Sequence, residues 1–113
     1  KNPVALDKNV TIGENSVIGP YTVLGKNVTI GKNVQIKETV VFAGAKIDDS
    51  TTINGALIGE CAQIGKKVKI TPGCIIADQA KIRDNISLQN KVAVCPAKDV
   101  TEDTLKSKSN VIC

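Results

Sequence analysis

Residues 8–36 read KNVTIGENSVIGPYTVLGKNVTIGKNVQI, and an aliphatic residue returns at every sixth position of this stretch. These positions are Ile12, Ile18, Leu24, Ile30 and Ile36. A period of six is neither the 3.6-residue period of a helix nor the two-residue period of a single strand. It indicates a short strand followed by a corner, a unit that buries its apolar side only when copies of it stack.

The aliphatic period continues along most of the chain. Between residues 6 and 94 it advances in thirteen steps of six residues and two steps of five. We call the sixteen positions the core marks: Leu6, Ile12, Ile18, Leu24, Ile30, Ile36, Val41, Ile47, Ile53, Ile58, Ile64, Ile70, Ile76, Ile82, Leu88 and Val94. Because the sequence has only two aromatic residues, Tyr21 and Phe42, we expect a core of stacked aliphatic side chains.

A second inward residue, in most cases small or β-branched, is expected four residues after each core mark. The candidates are Val10, Ser16, Thr22, Val28, Val34, Val40, Ala45, Thr51, Leu57, Ala62, Val68, Cys74, Ala80 and Ile86. Glycine follows the core mark directly at Gly13, Gly19, Gly25, Gly31, Gly59 and Gly65. Glycine at this point predicts either a bend with positive φ or a close approach of the backbone.

The two five-residue steps predict the number of sides. They run from Ile36 to Val41 and from Ile53 to Ile58, three segments apart. In a three-sided prism, segments three apart lie over one another, so both short steps share one side. We therefore predict an all-β fold, a three-sided parallel β-helix of about five coils and roughly 20–25 Å in height.

The same winding stacks asparagines at the corners. Asn9 is expected over Asn27, and Asn15 over Asn33. Asparagine tolerates left-handed backbone and can hydrogen-bond its stacked neighbour. We interpret these four residues as structural.

Composition excludes several classes of function. The net charge is +4, and the 15 basic residues are scattered lysines with the single exception of Arg83. With so few arginines and aromatic residues, no nucleic-acid partner is expected. The sequence shows no apolar run long enough to span a membrane. It also shows no charged segment followed by a short apolar run, the pattern of a secretory signal. We therefore expect no membrane partner and a cytoplasmic protein.

The four cysteines are Cys61, Cys74, Cys95 and Cys113, without Cys-x-x-Cys spacing and without a histidine in the sequence. A zinc site is therefore not expected. Cys74 falls on an inward position and is interpreted as core. Cys61 and Cys95 share a side but lie two coils apart, about 9.6 Å, which is beyond disulfide reach. We expect free thiols, which fits a reducing compartment.

Two charged clusters have alternative readings. Asp48 and Asp49 could bind a metal ion, and Lys66, Lys67 and Lys69 could attract a phosphate or a sugar nucleotide. Both clusters fall at predicted corners, where solvated charge is the simpler explanation. We assign no catalytic, cofactor-binding or metal-binding residue, and we expect no cofactor.

The repeat weakens after Val94, because Lys98 falls on an inward position. We expect residues 1–100 to form the β-helix and residues 101–113 to form a C-terminal capping tail. The tail is expected to cap the last coil, with a short helix opening near Thr101; the alternative is that it frays in solution.

The repeats resemble the hexapeptide-repeat superfamily of left-handed β-helices over about 90 of the 113 residues. The left hand is implied by this resemblance alone. A narrower resemblance rests on NPVALDKNVTIGENSVIGPYTVLGKNVTIG, KETVVFAGAKIDDSTTINGALIGECAQIG and VAVCPAKDVTED. Their order is similar to that in the C-terminal domain of sugar-nucleotide pyrophosphorylases, especially the mannose-1-phosphate guanylyltransferase-like group.

The resemblance implies a parent enzyme that joins a nucleoside triphosphate to a sugar 1-phosphate and releases pyrophosphate. The Gly-rich loop and metal-binding carboxylates of that enzyme's N-terminal domain have no counterpart in this sequence. Acyltransferases and carbonic anhydrases of the superfamily depend on histidine, and the sequence contains none. We therefore predict a non-catalytic oligomerisation and regulatory domain. Its expected partners are further copies of itself and a nucleotidyltransferase domain, in cis or in trans.

Two alternatives stay open. The first is a stand-alone acyl- or acetyl-CoA transferase that works without a histidine base. The second is a free-standing scaffold that regulates a separately encoded nucleotidyltransferase.

Overall fold

A computed structural model describes residues 4–89, 91–101 and 111–112. Strands of two or three residues alternate with tight turns, and the chain winds around a prism with three flat parallel sheets. The principal extents are 40 × 21 × 20 Å. Nowhere in the described ranges is there a helix with the length and apolar character needed to cross a membrane.

The strands are numbered in chain order, and each sheet forms one face of the prism. Face A contains β1 (Val4–Leu6), β4 (Thr22–Leu24), β7 (Val40–Val41), β10 (Leu57–Ile58), β13 (Ile75–Ile76), β16 (Ala93–Val94) and β18 (Val111–Ile112). Face B contains β2 (Thr11–Ile12), β5 (Thr29–Ile30), β8 (Lys46–Ile47), β11 (Gln63–Ile64), β14 (Lys81–Ile82) and β17 (Asp99–Val100). Face C contains β3 (Val17–Ile18), β6 (Gln35–Lys37), β9 (Thr52–Asn54), β12 (Lys69–Ile70) and β15 (Ser87–Leu88).

The predicted all-β parallel β-helix with three sides is confirmed. Both short steps lead from face C to face A, in adjacent coils. Ile36 pairs with Ile53 on face C, and Val41 pairs with Ile58 on face A. The tighter corner is therefore stacked on itself without breaking either ladder of backbone hydrogen bonds.

The described strands make about six turns rather than the five expected, because the pattern does not end at Val94. Val100 lies six residues further on, is fully buried and pairs through β17 with β14. Lys98 is half-buried at the intervening position. The later strand β18 pairs with β16. The short helix considered near Thr101 falls on residues 102–110, outside the described residues.

The core marks form the interior. From Leu24 to Val94 every one is buried, including Ile47, Ile64 and Ile82. The first marks also point inward, but Leu6 is 54% exposed and Ile12 37% exposed. They are exposed because, within the described residues, a coil packs on only one side of them.

Two of the predicted second inward residues are wrong. Val40 and Leu57 point outward, and Thr39 and Ala56 are buried in their place, at 0% and 4% exposure. Both errors lie within a five-residue step. The residue missing from such a step is missing from the corner. The inward residue therefore stays two positions before the next core mark, which in a short step is three and not four positions after the previous one.

Left-handed backbone occurs at the corner before each strand from β2 to β17. Thirteen non-glycine residues among those described have φ between 53° and 64°. The strand registers place Asn9 over Asn27 and Asn15 over Asn33, as predicted. All four asparagines have left-handed backbone, with φ from 59° to 63°. Consecutive corners are joined by backbone hydrogen bonds, such as that from Asn27 N to Lys8 O at 2.9 Å.

The glycines that follow core marks are required by close packing and not by positive φ. At Gly59 a Cβ atom would lie 2.5 Å from the backbone nitrogen of Asp78 in the next coil. The Asp78 carboxylate lies in the same space and accepts the backbone N–H of Glu60 at 2.8 Å. Equivalent pairs are Asp49 with the Lys32 N–H above Gly31, and Asp84 with the Lys66 N–H above Gly65.

Buried hydroxyl groups satisfy backbone groups inside the prism. Thr51 is fully buried, donates its hydroxyl to the carbonyl of Gly65 at 2.7 Å and accepts the N–H of Val68 at 3.3 Å. Thr39 donates its hydroxyl to the carbonyl of Lys37 in its own coil at 2.8 Å and accepts the N–H of Ala56 in the next coil at 3.4 Å. These threonines therefore act as internal hydrogen-bond bridges between coils.

Candidate functional site

Side chains that precede a core mark point outward, because successive residues of a strand face opposite sides of its sheet. On face B these residues are Thr11, Thr29, Lys46, Gln63, Lys81 and Asp99. On face C they are Val17, Gln35, Thr52, Lys69 and Ser87. Both faces are therefore mixed or polar, as expected for surfaces in contact with water.

Face A differs from the other two because all its outward residues are aliphatic. They are Ala5, Val23, Val40, Leu57, Ile75, Ala93 and Val111, and we call them the aliphatic ladder. Each residue is paired in register with the next. Val23 is 43% exposed, Leu57 38% and Ile75 47%. The ladder is thus a continuous apolar stripe on the long axis of the prism.

The borders of the ladder contain further apolar surface. Tyr21, 67% exposed, precedes strand β4, and Phe42, 44% exposed, follows strand β7. These two are the only aromatic residues of the sequence, and neither enters the core. A shallow groove of about 320 Å³ runs beside Leu57 and Ile75. Face A therefore combines exposed aliphatic and aromatic groups in one strip.

The paired carboxylates of Asp48 and Asp49 are engaged by the backbone. Asp49 Oδ1 accepts the N–H of Lys32 at 2.9 Å, and Asp48 Oδ1 accepts the N–H of Asp49 at 2.8 Å. Within the described ranges, no three histidine, cysteine, aspartate or glutamate side chains group closely enough to hold a metal ion. The geometry thus gives Asp49 a capping role for the preceding coil.

The lysine cluster is split between a corner and a sheet. Lys66 and Lys67 are exposed at a corner, where Lys67 has φ 55°. Lys69 points outward from face C. The backbone N–H of Lys66 is taken by the Asp84 carboxylate at 2.8 Å. The corner therefore places an acidic group beside the lysines and does not form a cradle of free N–H groups.

The cysteines do not all behave as predicted. Cys74 is buried, as expected, and Cys61 is a free, exposed thiol. Cys95, however, is disulfide-bonded, so the expectation of four free thiols is wrong. Cys113 lies outside the described residues. The cysteine content therefore no longer supports a reducing compartment.

Face B has a groove of about 270 Å³ that is lined in part by charged side chains. Arg83 beside this groove binds Asp99 with both guanidinium arms, Nε to Oδ1 at 2.8 Å and Nη2 to Oδ2 at 2.6 Å. These hydrogen bonds and the charge of Arg83 lower the pKa of the Asp99 carboxyl, and the carboxylate raises the pKa of Arg83. Lys46 and Lys81 also line the groove. Since no histidine is present, this charged surface lacks the usual proton acceptor of neutral pH.

Sequence reasoning missed the aliphatic ladder, although its signal is present in the sequence. Reading the residue before every third core mark gives only Ala, Val, Leu and Ile. The rule of four residues after each core mark assigns Val40 and Leu57 to the interior, and this interrupts the outward aliphatic pattern. Once the faces are assigned, the ladder is the most distinctive surface feature of the described chain.

Comparison with known proteins supports the same architecture. The family model described as GMPPB C-terminal domain matches residues 1–111. Over 50 residues, or 44% of its length, this chain is 38% identical to an acyl-[acyl-carrier-protein]--UDP-N-acetylglucosamine O-acyltransferase of Rickettsia canadensis (strain McKiel). Over the same length it is 36% identical to the enzyme of that name from Rickettsia typhi (strain ATCC VR-144 / Wilmington). The match spans only 19% of the length of each of these relatives.

Among solved structures, the acetyltransferase domain of PglB from Neisseria gonorrhoeae FA1090 aligns with 80% of this chain and 50% of that chain, at 12% identity and a TM-score of 0.28. The family match confirms the resemblance to left-handed β-helices of sugar-nucleotide pyrophosphorylase C-terminal domains.

Proposed function

Because the chain belongs to the family of GMPPB C-terminal domains, we propose that it is the non-catalytic β-helix domain of a sugar-nucleotide pyrophosphorylase of the mannose-1-phosphate guanylyltransferase-like group. Its role is self-association and regulation of the catalytic domain, in cis or in trans, in the cytoplasm. The parent enzyme converts a nucleoside triphosphate and a sugar 1-phosphate to a nucleoside diphosphate sugar and pyrophosphate. The family match over residues 1–111 carries this proposal.

The shape of the described chain supports a structural role. From Leu24 to Val100 the prism interior consists mainly of buried aliphatic side chains. Parallel strands joined coil to coil make a rigid body whose faces can present a fixed surface to a partner. The β18 strand, which returns to pair with β16, supports our further proposal that the segment after residue 100 caps the C-terminal end.

Sedimentation velocity of this chain at increasing concentrations tests self-association. We expect the weight-average sedimentation coefficient to rise with concentration. A strict monomer throughout the range would remove the proposed role. Pyrophosphorylase activity, measured as pyrophosphate release from GTP and mannose 1-phosphate, is expected to be absent for this chain alone.

The alternative function is acyl transfer, and one observation favours it. The curated relatives that match residues of this chain over 50 positions are named as O-acyltransferases. Calorimetric titration with acetyl-CoA, combined with a thiol assay for released CoA in the presence of amino-sugar acceptors, separates the two functions. Saturable binding with turnover would replace our proposal.

A further inference from the structure

We propose that the aliphatic ladder of face A is the surface on which two copies of this chain pair, with their helix axes antiparallel. The inference rests on the proposed self-association and adds to it the face and the orientation. The partner is a second copy because the area of the face and the charge along its border both suit a symmetric pair.

The ladder is distinguished by its lack of charge. Positions equivalent to Leu57 hold Lys46 and Lys81 on face B and Lys69 on face C. The fold therefore accepts lysine at such positions, and nothing in strand geometry demands an aliphatic residue at Leu57. A contiguous exposed apolar stripe of this length is typical of an interaction site.

The area of the face matches the requirement of a stable pair. Seven strands about 4.8 Å apart make the face roughly 29 Å high, and at about 20 Å across it presents roughly 580 Å². Two such faces bury roughly 1,160 Å², above the about 1,000 Å² expected of a biological interface. Two flat sheets can pack face to face through such side chains at a separation of about 10 Å.

Charge along one border of the ladder selects the orientation. The corner between face A and face B stacks six residues through backbone hydrogen bonds, in the order Lys8, Lys26, Ala43, Glu60, Asp78 and Pro96. Asp7 beside Lys8 makes the first coil neutral at this border, so the second coil is positive and the fourth and fifth are negative. All five charged residues are exposed.

In a two-fold pair with antiparallel axes, the same border of both copies meets in reversed coil order. Lys26 of one copy then faces the border that carries Glu60 and Asp78 of the other copy. The two-fold symmetry produces this pairing of opposite charges twice. A parallel pair instead sets this border against the opposite one. There Tyr21, Gly55 and Gly73 lie at the levels of Lys26, Glu60 and Asp78, and the charged corner residues Glu38 and Lys91 lie one coil away. Electrostatic complementarity thus favours the antiparallel arrangement.

The face is tested by placing a charge in the ladder. Leu57→Lys and, separately, Ile75→Lys are expected to fold like wild type, since face B and face C hold lysine at equivalent positions. Each is expected to weaken self-association by roughly tenfold or more in sedimentation equilibrium. Gln63→Lys, an outward residue of face B in the neighbouring strand, is the matched control and is expected to leave the association constant unchanged. Far-UV circular dichroism and thermal unfolding establish that every variant is folded.

The orientation is tested by charge reversal. Lys26→Glu alone and Glu60→Lys alone are expected to weaken association, and the double variant is expected to restore it towards wild type. Restoration supports the antiparallel pair, whereas two independent losses that add in the double variant overturn it.

The remaining outcomes separate this inference from the proposed function. If wild type associates and Leu57→Lys and Ile75→Lys associate equally well, the assignment to face A is wrong while self-association stands. If wild type is monomeric at every concentration, both the proposed self-association and the pairing face are overturned.

Discussion

The substitution Gly59→Ala tests whether the coils approach as closely as the structure indicates. A Cβ atom at this position would lie 2.5 Å from Asp78 N, 2.6 Å from Ala77 C and 2.6 Å from Asp78 Oδ1. Two of these three atoms belong to the backbone of the next coil, so no side-chain rotation can relieve the contact. The neighbouring coil must move by nearly an ångström against a strand spacing of about 4.8 Å.

The expected cost has two parts. Overpacking of a tightly packed site costs about 1–3 kcal/mol. Displacement of the Asp78 carboxylate from the Glu60 N–H removes a hydrogen bond worth about 1 kcal/mol more. The free energy of unfolding is therefore expected to fall by about 2–4 kcal/mol, a large part of the 5–15 kcal/mol that is typical of a domain.

Urea unfolding followed by circular dichroism at fixed protein concentration measures this change. Gly44→Ala is the matched control, because it adds the same methyl group where the nearest atom is the Cys61 sulfur at 3.0 Å and φ is 75°. A left-handed alanine there is expected to cost about 1–2 kcal/mol. If Gly59→Ala is no more destabilising than Gly44→Ala, the rigid contact between coils that we infer does not exist.

Three further predictions concern the interior, the corners and the surface ion pair. Thr51→Val removes the hydroxyl bridge between coils and is expected to lower the free energy of unfolding by about 1–3 kcal/mol; an unchanged urea midpoint would contradict the bridging role. Lys67→Gly relieves a left-handed backbone and is expected to stabilise by about 0.5–1 kcal/mol, whereas Lys66→Gly, beside it, is expected to destabilise by a similar amount. The guanidinium of Arg83 lowers the pKa of Asp99. The ion pair therefore stabilises the fold at pH values above the ordinary carboxyl pKa of about 3.9. This stabilisation is lost as the pH falls through the lowered pKa of Asp99. Arg83→Gln is therefore expected to be less stable than wild type at neutral pH and to converge with it in acid; urea midpoints that stay equally far apart at all pH values would refute this.

Most of the fold was predictable because one physical requirement repeats along the chain. Each six-residue unit must point an aliphatic side chain inward, so the period and its two short steps specify three sides. The predicted interior was wrong at Val40 and Leu57, since sequence spacing does not reveal which part of a shortened segment is missing. Stacking decides this, because the corner can lose a residue and the strand cannot.

The candidate site was less predictable for the same reason. The aliphatic ladder consists of residues about 17 or 18 positions apart, and their common role exists only after the winding brings them together. The carboxylate of Asp78 likewise looks like ordinary surface charge until Gly59 is placed beneath it. The disulfide at Cys95 was also not predicted from the sequence.

By itself, the sequence determined the repeat, the aliphatic interior and the left-handed corners occupied by asparagine. These properties are local, because each unit carries its own apolar mark and its own turn. Only the tertiary structure decided which side chains share a face, that face A is wholly aliphatic, and that positive and negative charges separate along its border. Those properties belong to residues far apart in sequence, and parallel pairing of the strands gives them a common surface.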